Sequence, residues 1–370
     1  MPRLGQSDTS DVTNARFAHP DATDRAARHK ATGLYRASMP SAPPLDRSLA
    51  LLPKAHLHLH LEGGMRPSTL RDLADTHGME VPVVRGFGSF PMFAEMYVAA
   101  CEVLRTPEDL TRLFEETLDD AAAAGAVYVE PAFFLPHHRQ RLGPDEQVLE
   151  MALDAIAGAT GRTGVAAGLM LAADRTRSPE DAAEQARIAA RYAGQGVVAF
   201  GLANDEQGHP PEPFEEAFRI AREAGLLSTP HAGELDGPAS VRGALDVLGA
   251  HRIEHGVRAV EDPGLLRRLA DEQVCLDVCP TSNLLLSVVD DLASHPLTRL
   301  LDAGVRCSLN ADDPLLFGPG LLEEYQLCRD TMGLSDGQLA AIAHSSLVAS
   351  GAPQSVIDDG IAGVDRWLAD

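Results

Sequence analysis

The chain has 370 residues, an ordinary apolar fraction of 45% and a formal net charge of −23. That length suffices for a large core within one domain, and an acidic chain without a basic patch excludes binding along a phosphate backbone. No apolar run reaches the roughly 18 residues a membrane-spanning helix needs, so the composition describes a protein that engages neither nucleic acid nor membrane.

In chain order, residues 1–48 come first, rich in Asp, Ala, Ser, Thr, Pro and Arg. They lack an apolar stripe and a signal-type hydrophobic region, and read as a disordered extension with room for one short helix over 24–34. Residues 49–370 read as a single domain. Strand patterns fall at 55–61, 126–134, 165–172, 197–202, 226–231, 252–255, 274–278 and 306–310. Between them lie amphipathic stretches such as 107–124, 179–193, 213–224 and 238–248, each opening on a proline, whose missing N–H costs nothing in a first helical turn. Eight alternations of strand and helix predict an α/β fold, a (β/α)8 TIM barrel. The stretch 66–105 exceeds one helix and predicts extra helices inserted after the first strand; the chain beyond Tyr325 predicts closing helices at the C-terminus. The five cysteines, Cys101, Cys275, Cys279, Cys307 and Cys328, read as reduced core residues of a cytoplasmic protein.

Polar residues then fall in a pattern that packing alone does not call for. His56, His58 and His60 alternate with leucines, which on a strand puts three imidazoles on one face. His58 and His60, His231 with Glu234, His255, and Asp312 with Asp313 all sit at or just past the C-terminal end of a candidate strand, and in a barrel those ends meet at one mouth. Taken singly, His255 is equally a satisfied core histidine, and Asp312-Asp313-Pro314 a turn or helix cap. Together, His58, His60, His231 and Asp312 make a zinc or iron site completed by water. Glu234 is left free as a general acid or base, and His255 can hydrogen-bond the activated water or take its proton. Two other pairs carry less: His137-His138 reads as a solvated loop, and Cys275 with Cys279 as core packing rather than a zinc finger.

The segments Pro53-Lys54-Ala55-His56-Leu57-His58-Leu59-His60-Leu61-Glu62-Gly63, His231-Ala232-Gly233-Glu234, Arg252-Ile253-Glu254-His255-Gly256, Cys279-Pro280-Thr281-Ser282-Asn283 and Ser308-Leu309-Asn310-Ala311-Asp312-Asp313-Pro314 resemble, in order, those of the adenosine/adenine deaminase family of metal-dependent hydrolases. The resemblance implies one zinc ion held by His58, His60, His231 and Asp312, with His56 excluded and lying deeper in the barrel. It implies that Glu234 protonates N1 of the purine, that hydroxide oriented by His255 and Asp312 attacks C6, and that Asp313 contacts N7. Asn204 falls where the family touches the N3 side. Relatives with two metals use a carboxylated lysine at the fourth strand; here the only lysines are Lys30 and Lys54, so one ion per chain is expected.

Substrate is where the sequence departs from the pattern. Glu62 stands where adenosine deaminases carry the Asp that recognises the ribose 5′-hydroxyl, and Glu62 with Glu254 is more like the adenine deaminase branch, whereas Leu202-Ala203-Asn204-Asp205-Glu206 is closer to the adenosine branch. The expectation is hydrolytic deamination of an adenine nucleoside, plain or modified. Alternatives are 6-aminodeoxyfutalosine, a menaquinone precursor; free adenine; a barrel that binds purine without turning it over; and a two-metal hydrolase of the same superfamily.

Overall fold

The computed structural model describes residues 47–370; all but the last two residues of the extension expected over 1–48 lie outside it. Each expected strand is present, two of them broken into pieces. In order they are β1 (Lys54–His56), β2 (Ala126–Val129), β3 (Ala132–Phe133), β4 (Ala166–Ala167), β5 (Leu169–Asp174), β6 (Val197–Ala203), β7 (Leu227–Ala232), β8 (Arg252–His255), β9 (Cys275–Val278) and β10 (Arg306–Leu309). All pairings are parallel, in a three-stranded sheet ordered β1-β2-β4 and a seven-stranded sheet ordered β10-β9-β8-β7-β6-β5-β3. The breaks have local causes. Pro131, between β2 and β3, has no N–H for a ladder. Gly168, between β4 and β5, passes so close to Tyr128 Oη and Val198 that a Cβ there would lie 2.5 and 2.7 Å from them.

First and last strands meet without a regular ladder. A single bridge joins Leu59 to Asp312, with His60 N–H donating to Asp312 O at 3.0 Å and Asp312 N–H to His58 O at 3.1 Å. Side chains finish the seam. Asn310 Oδ1 accepts from Leu57 and His58 N–H at 2.7 and 3.1 Å, and His56 Nε2 accepts from Ala311 N–H at 3.2 Å. His56 therefore leaves the face of His58 and His60: it also lines a separate cavity with Arg66, Thr117 and Leu321. The expected three-ring ladder fails because regular strand ends at His56, and with it the alternation.

The inserted helices are Pro67–Thr76 and Phe90–Cys101, and the closing ones Leu321–Asp330, Asp336–Val348 and Gln354–Ala369. Helix Pro107–Ala123 starts as its sequence dictates: Thr106 and Asp109 form a capping box and proline follows the cap. Helix Phe90–Cys101 differs from the others, being strongly apolar yet burying only Ala100 and Cys101. All five cysteines are free and buried. Among the described residues no helix is long and apolar enough to cross a membrane.

Candidate active site

The C-terminal strand ends open on one pocket lined by His60, His231, Glu234, His255, Asp312 and Asp313, with Asn204, Asp174, Tyr97 and the rings of Phe90, Phe93, Phe133 and Phe134 around them. His58 sits just beneath, fully buried, its ring centroid 4.8 Å from that of His231 and 4.6 Å from that of His255. Asp312 Oδ1 is 3.3 Å from His58 Nε2 and 3.4 Å from His60 Nε2. Two sets of donor atoms lie close enough to share an ion around His58: one with His60 and Asp312, the other with His231 and His255. Asn204, His255 and Asp312 all hold positive φ, at 80°, 64° and 59°, a conformation that costs non-glycine residues about 1–3 kcal/mol and persists where surroundings enforce it.

The donor chemistry suits a divalent cation. His58 Nδ1 faces the Asp277 carbonyl at 3.3 Å; a carbonyl only accepts, so the ring proton stays on that side. His58 Nε2 is left buried with no hydrogen-bond partner. Burial opposes charge on His58, yet Cys279, Glu254 and Asp312 outweigh it and push its pKa well above the ordinary value. The pocket asks for positive charge at that point, which an ion or a proton can supply. Behind His231, Glu254 Oε2 lies 2.6 Å from Nδ1, off the N–H direction, since that nitrogen has no aligned hydrogen bond. Carboxylates and carbonyls behind ligating imidazoles orient them and raise their basicity.

Glu234 and Asp313 are carboxyl groups kept from water. Burial, with Asp312 and Glu206, pushes Glu234 well above the usual carboxylate range, and burial with Asp312 does the same to Asp313. Glu234 Oε1 and both oxygens of Asp313 are buried without hydrogen-bond partners. Carboxyl groups that keep a proton at neutral pH can donate to ring nitrogens. Asn204 turns its Oδ1 onto the N–H of Asp205 at 2.8 Å, so its amide is partly committed to its own turn.

Glu62 is placed differently from the other expected residues. It is fully buried and absent from the pocket wall, with Oε1 2.5 Å from His138 Nε2 and Oε2 accepting from Tyr97 Oη at 2.7 Å. His138, expected in a solvated loop, is fully buried against it, and His137 lines the pocket. A buried carboxylate needs a partner, and Glu62 recruits one across 76 residues. Cys279, expected as mere packing, lies 3.5 Å from His58 Nδ1.

Two further residues go unseen in the sequence. Glu206 is buried and accepts four backbone N–H groups of the loop that carries Glu234: Gly233 at 2.6 Å, Glu234 at 3.0 Å, and Leu235 and Asp236 at 2.8 Å each. Arg175, also buried, donates to His231 O at 2.6 Å. In the sequence Arg175 is marked only by its position just past a strand end, and Glu206 only as the last residue of Leu202-Ala203-Asn204-Asp205-Glu206, with no role of its own.

The adenosine deaminase family model matches residues 53–367. A putative adenosine/adenine deaminase of Streptomyces coelicolor is 47% identical over 341 residues, covering 87% of this chain and 98% of the relative. Among solved structures, an adenine deaminase from Arthrobacter aurescens superposes with a TM-score of 0.80 at 32% identity, covering 86% of this chain and 99% of that one. An amidohydrolase from Burkholderia ambifaria with bound zinc superposes equally well, TM-score 0.80, at 25% identity over 90% of this chain and 98% of that one.

Proposed function

The chain belongs to the adenosine deaminase family, and we propose that it hydrolyses the 6-amino group of free adenine, giving the 6-oxo purine and ammonia. The observation that carries the free-base reading is the state of Glu62. Glu62 is fully buried outside the pocket wall, held there by His138 and Tyr97, so it is not presented to a sugar hydroxyl, and the pocket around Tyr97 is walled by Phe90, Phe93 and Val98. A hydroxyl stripped of water there without a partner costs about 1–3 kcal/mol. The likeness to an adenine deaminase of Arthrobacter aurescens supports the same choice. The nucleoside reading keeps one observation in its favour: Asp174 and Asn204 are polar groups on the same pocket wall.

His58, His60, His231 and Asp312 would hold one zinc ion, the metal bound by the Burkholderia relative. Such an ion lowers the pKa of a water towards neutrality and so supplies the nucleophile. The protein's own groups do the rest. Glu234, holding its proton, donates to N1 of the ring and makes C6 electrophilic; Asp313 donates to N7; His255, 3.7 Å from Asp312 Oδ2, orients the attacking water.

Ammonia release from adenine, adenosine, 2′-deoxyadenosine and 6-aminodeoxyfutalosine tests the substrate. Adenine should exceed every nucleoside in kcat/KM by about tenfold or more; a nucleoside turned over as well as adenine overturns the free-base reading. Glu234→Gln should keep its zinc by metal analysis and lose roughly 10²–10⁴-fold in kcat. Undiminished turnover would mean that another group is the acid.

A further inference from the structure

Behind His255 runs a line of hydrogen bonds that the chemistry above does not use. It starts at the backbone N–H of Leu297, 3.1 Å from His295 Nδ1. A peptide N–H only donates, so Nδ1 is an acceptor and the neutral ring carries its proton on Nε2. Burial keeps His295 neutral, lowering its pKa to about 4. Its Nε2 lies 3.2 Å from Asn283 Oδ1, which orients the amide: the oxygen must face the imidazole N–H, and the NH₂ group points the other way. There Asn283 Nδ2 is 3.2 Å from His255 Nδ1. An amide NH₂ only donates, so His255 Nδ1 accepts, and the proton of the neutral ring lies on Nε2. That edge faces Glu234 Oε1 at 3.4 Å and Asp312 Oδ2 at 3.7 Å.

We propose that Asn283 and His295 are positioning residues that lock His255 in its Nε2–H tautomer, making it a hydrogen-bond donor to the attacking water rather than the base that deprotonates it. The role at the water rests on the deaminase reading; the tautomer rests on the hydrogen bonds alone. The same lock resolves the ambiguity among the histidines. His58 and His255, with ring centroids 4.6 Å apart, are held in opposite ways. His58 has its Nδ1 side committed to the Asp277 carbonyl and Nε2 open to an ion, whereas His255 turns an N–H to the same centre and has no lone pair to give. His255 is thereby kept out of the metal set although it lies within reach of it.

Asn283→Asp tests this with almost no change of shape. A carboxylate can only accept, so it takes His295 Nε2–H on one oxygen and His255 Nδ1–H on the other, inverting the tautomer. In the zinc-loaded protein kcat should fall roughly 10²–10⁴-fold, as a wrong tautomer does in a hydrolytic triad, with KM within about threefold and zinc content unchanged. The direct readout is the ring ¹⁵N spectrum of histidine-labelled zinc enzyme, His255 being assigned by its loss in His255→Gln. The wild type should carry the proton on Nε2 and Asn283→Asp on Nδ1. A wild-type proton on Nδ1 overturns the proposal, and so does an Asn283→Asp enzyme with undiminished kcat. If Asn283→Asp does not fold, the wild-type spectrum decides alone. If the wild type deaminates no 6-aminopurine, the function assigned above fails while the spectrum still decides the tautomer.

Discussion

A Cβ built on Gly63 would lie 1.8 Å from Asp313 Oδ1, closer than any pair of unbonded atoms can come. The glycine after Leu61-Glu62 therefore does not serve a turn; it makes room for a carboxyl group that must point into the pocket. Gly63→Ala should push Asp313 aside, at a cost typical of overpacking, about 1–3 kcal/mol. If Asp313 holds N7 of the ring, kcat/KM should drop by roughly 10²-fold. Thermal melting and steady-state assays on the same preparation separate the two effects, and a stable variant with unaltered kcat/KM would remove Asp313 from the binding site. Gly63 was legible in the sequence as part of a motif, but its reason was not, since Asp313 comes from the far end of the chain. Glu206 is the harder case. One carboxylate organises four amides of the loop bearing Glu234, yet in the sequence it is only an acidic residue after a strand, because its partners belong to the next strand's loop.

Among elements, the strands were the legible part, because β-branched and apolar runs between amphipathic helices repeat with regular spacing. Arg252–His255 falls as expected to the residue, the first strand ends five residues early at His56, and the others shift by one residue or break at Pro131 and Gly168. What periodicity could not convey is where it stops: the ladder of histidines ends with β1, so His56 serves the seam through Ala311 and lines a cavity separate from the pocket of His60 and His231. Helix Phe90–Cys101 shows a second limit. Its apolar residues would ordinarily signal burial in a core, but Phe90, Phe93, Tyr97 and Val98 instead roof the pocket. Tyr97 ties that roof to Glu62, buried behind the pocket wall. Tyr97→Phe removes the hydroxyl that holds Glu62 there and lets that carboxylate turn to meet a sugar. The ratio of kcat/KM for adenine over adenosine should fall by about tenfold, the equivalent of roughly 1.4 kcal/mol. Equal losses on both substrates would show that Tyr97 shapes the pocket without choosing between them.

Across the whole molecule the barrel is held by charge inside as well as by apolar packing. Arg252, fully buried, bonds Glu130 and Asp277 at 2.5 Å each; Ser308 donates to Asp277 at 2.6 Å and Asn310 to Ser308 at 2.7 Å. The line runs from β8 through β9 and β10 to the amides of Leu57 and His58 just past β1, and its charges are of a kind that composition assigns to the surface. At the other end of β1, Lys54 is buried too. Its Nζ donates to the carbonyls of Leu49 and Ala124 at 2.9 and 2.6 Å and stands 5.1 Å from the centre of the Tyr325 ring. Two carbonyls need two N–H groups, which a neutral amine has. The ring face favours an ammonium by about 0.5–2 kcal/mol, but burial outweighs it and lowers the pKa from 10.5 to about 7. In the unfolded chain the same amine keeps its ordinary pKa, so between these two values the unfolded state binds more protons and stability rises with pH. Below about pH 7 both states are charged and the fold bears the full cost of the buried ammonium. Lys54→Met removes that dependence at a cost in unpaired carbonyls that does not vary with pH. Urea unfolding of both proteins at pH 6.5 and 9.5 should show the wild type gaining on the variant by roughly 1–3 kcal/mol over that range. A gap that stays constant, or moves against the wild type as pH rises, would show that Lys54 keeps its proton in the fold.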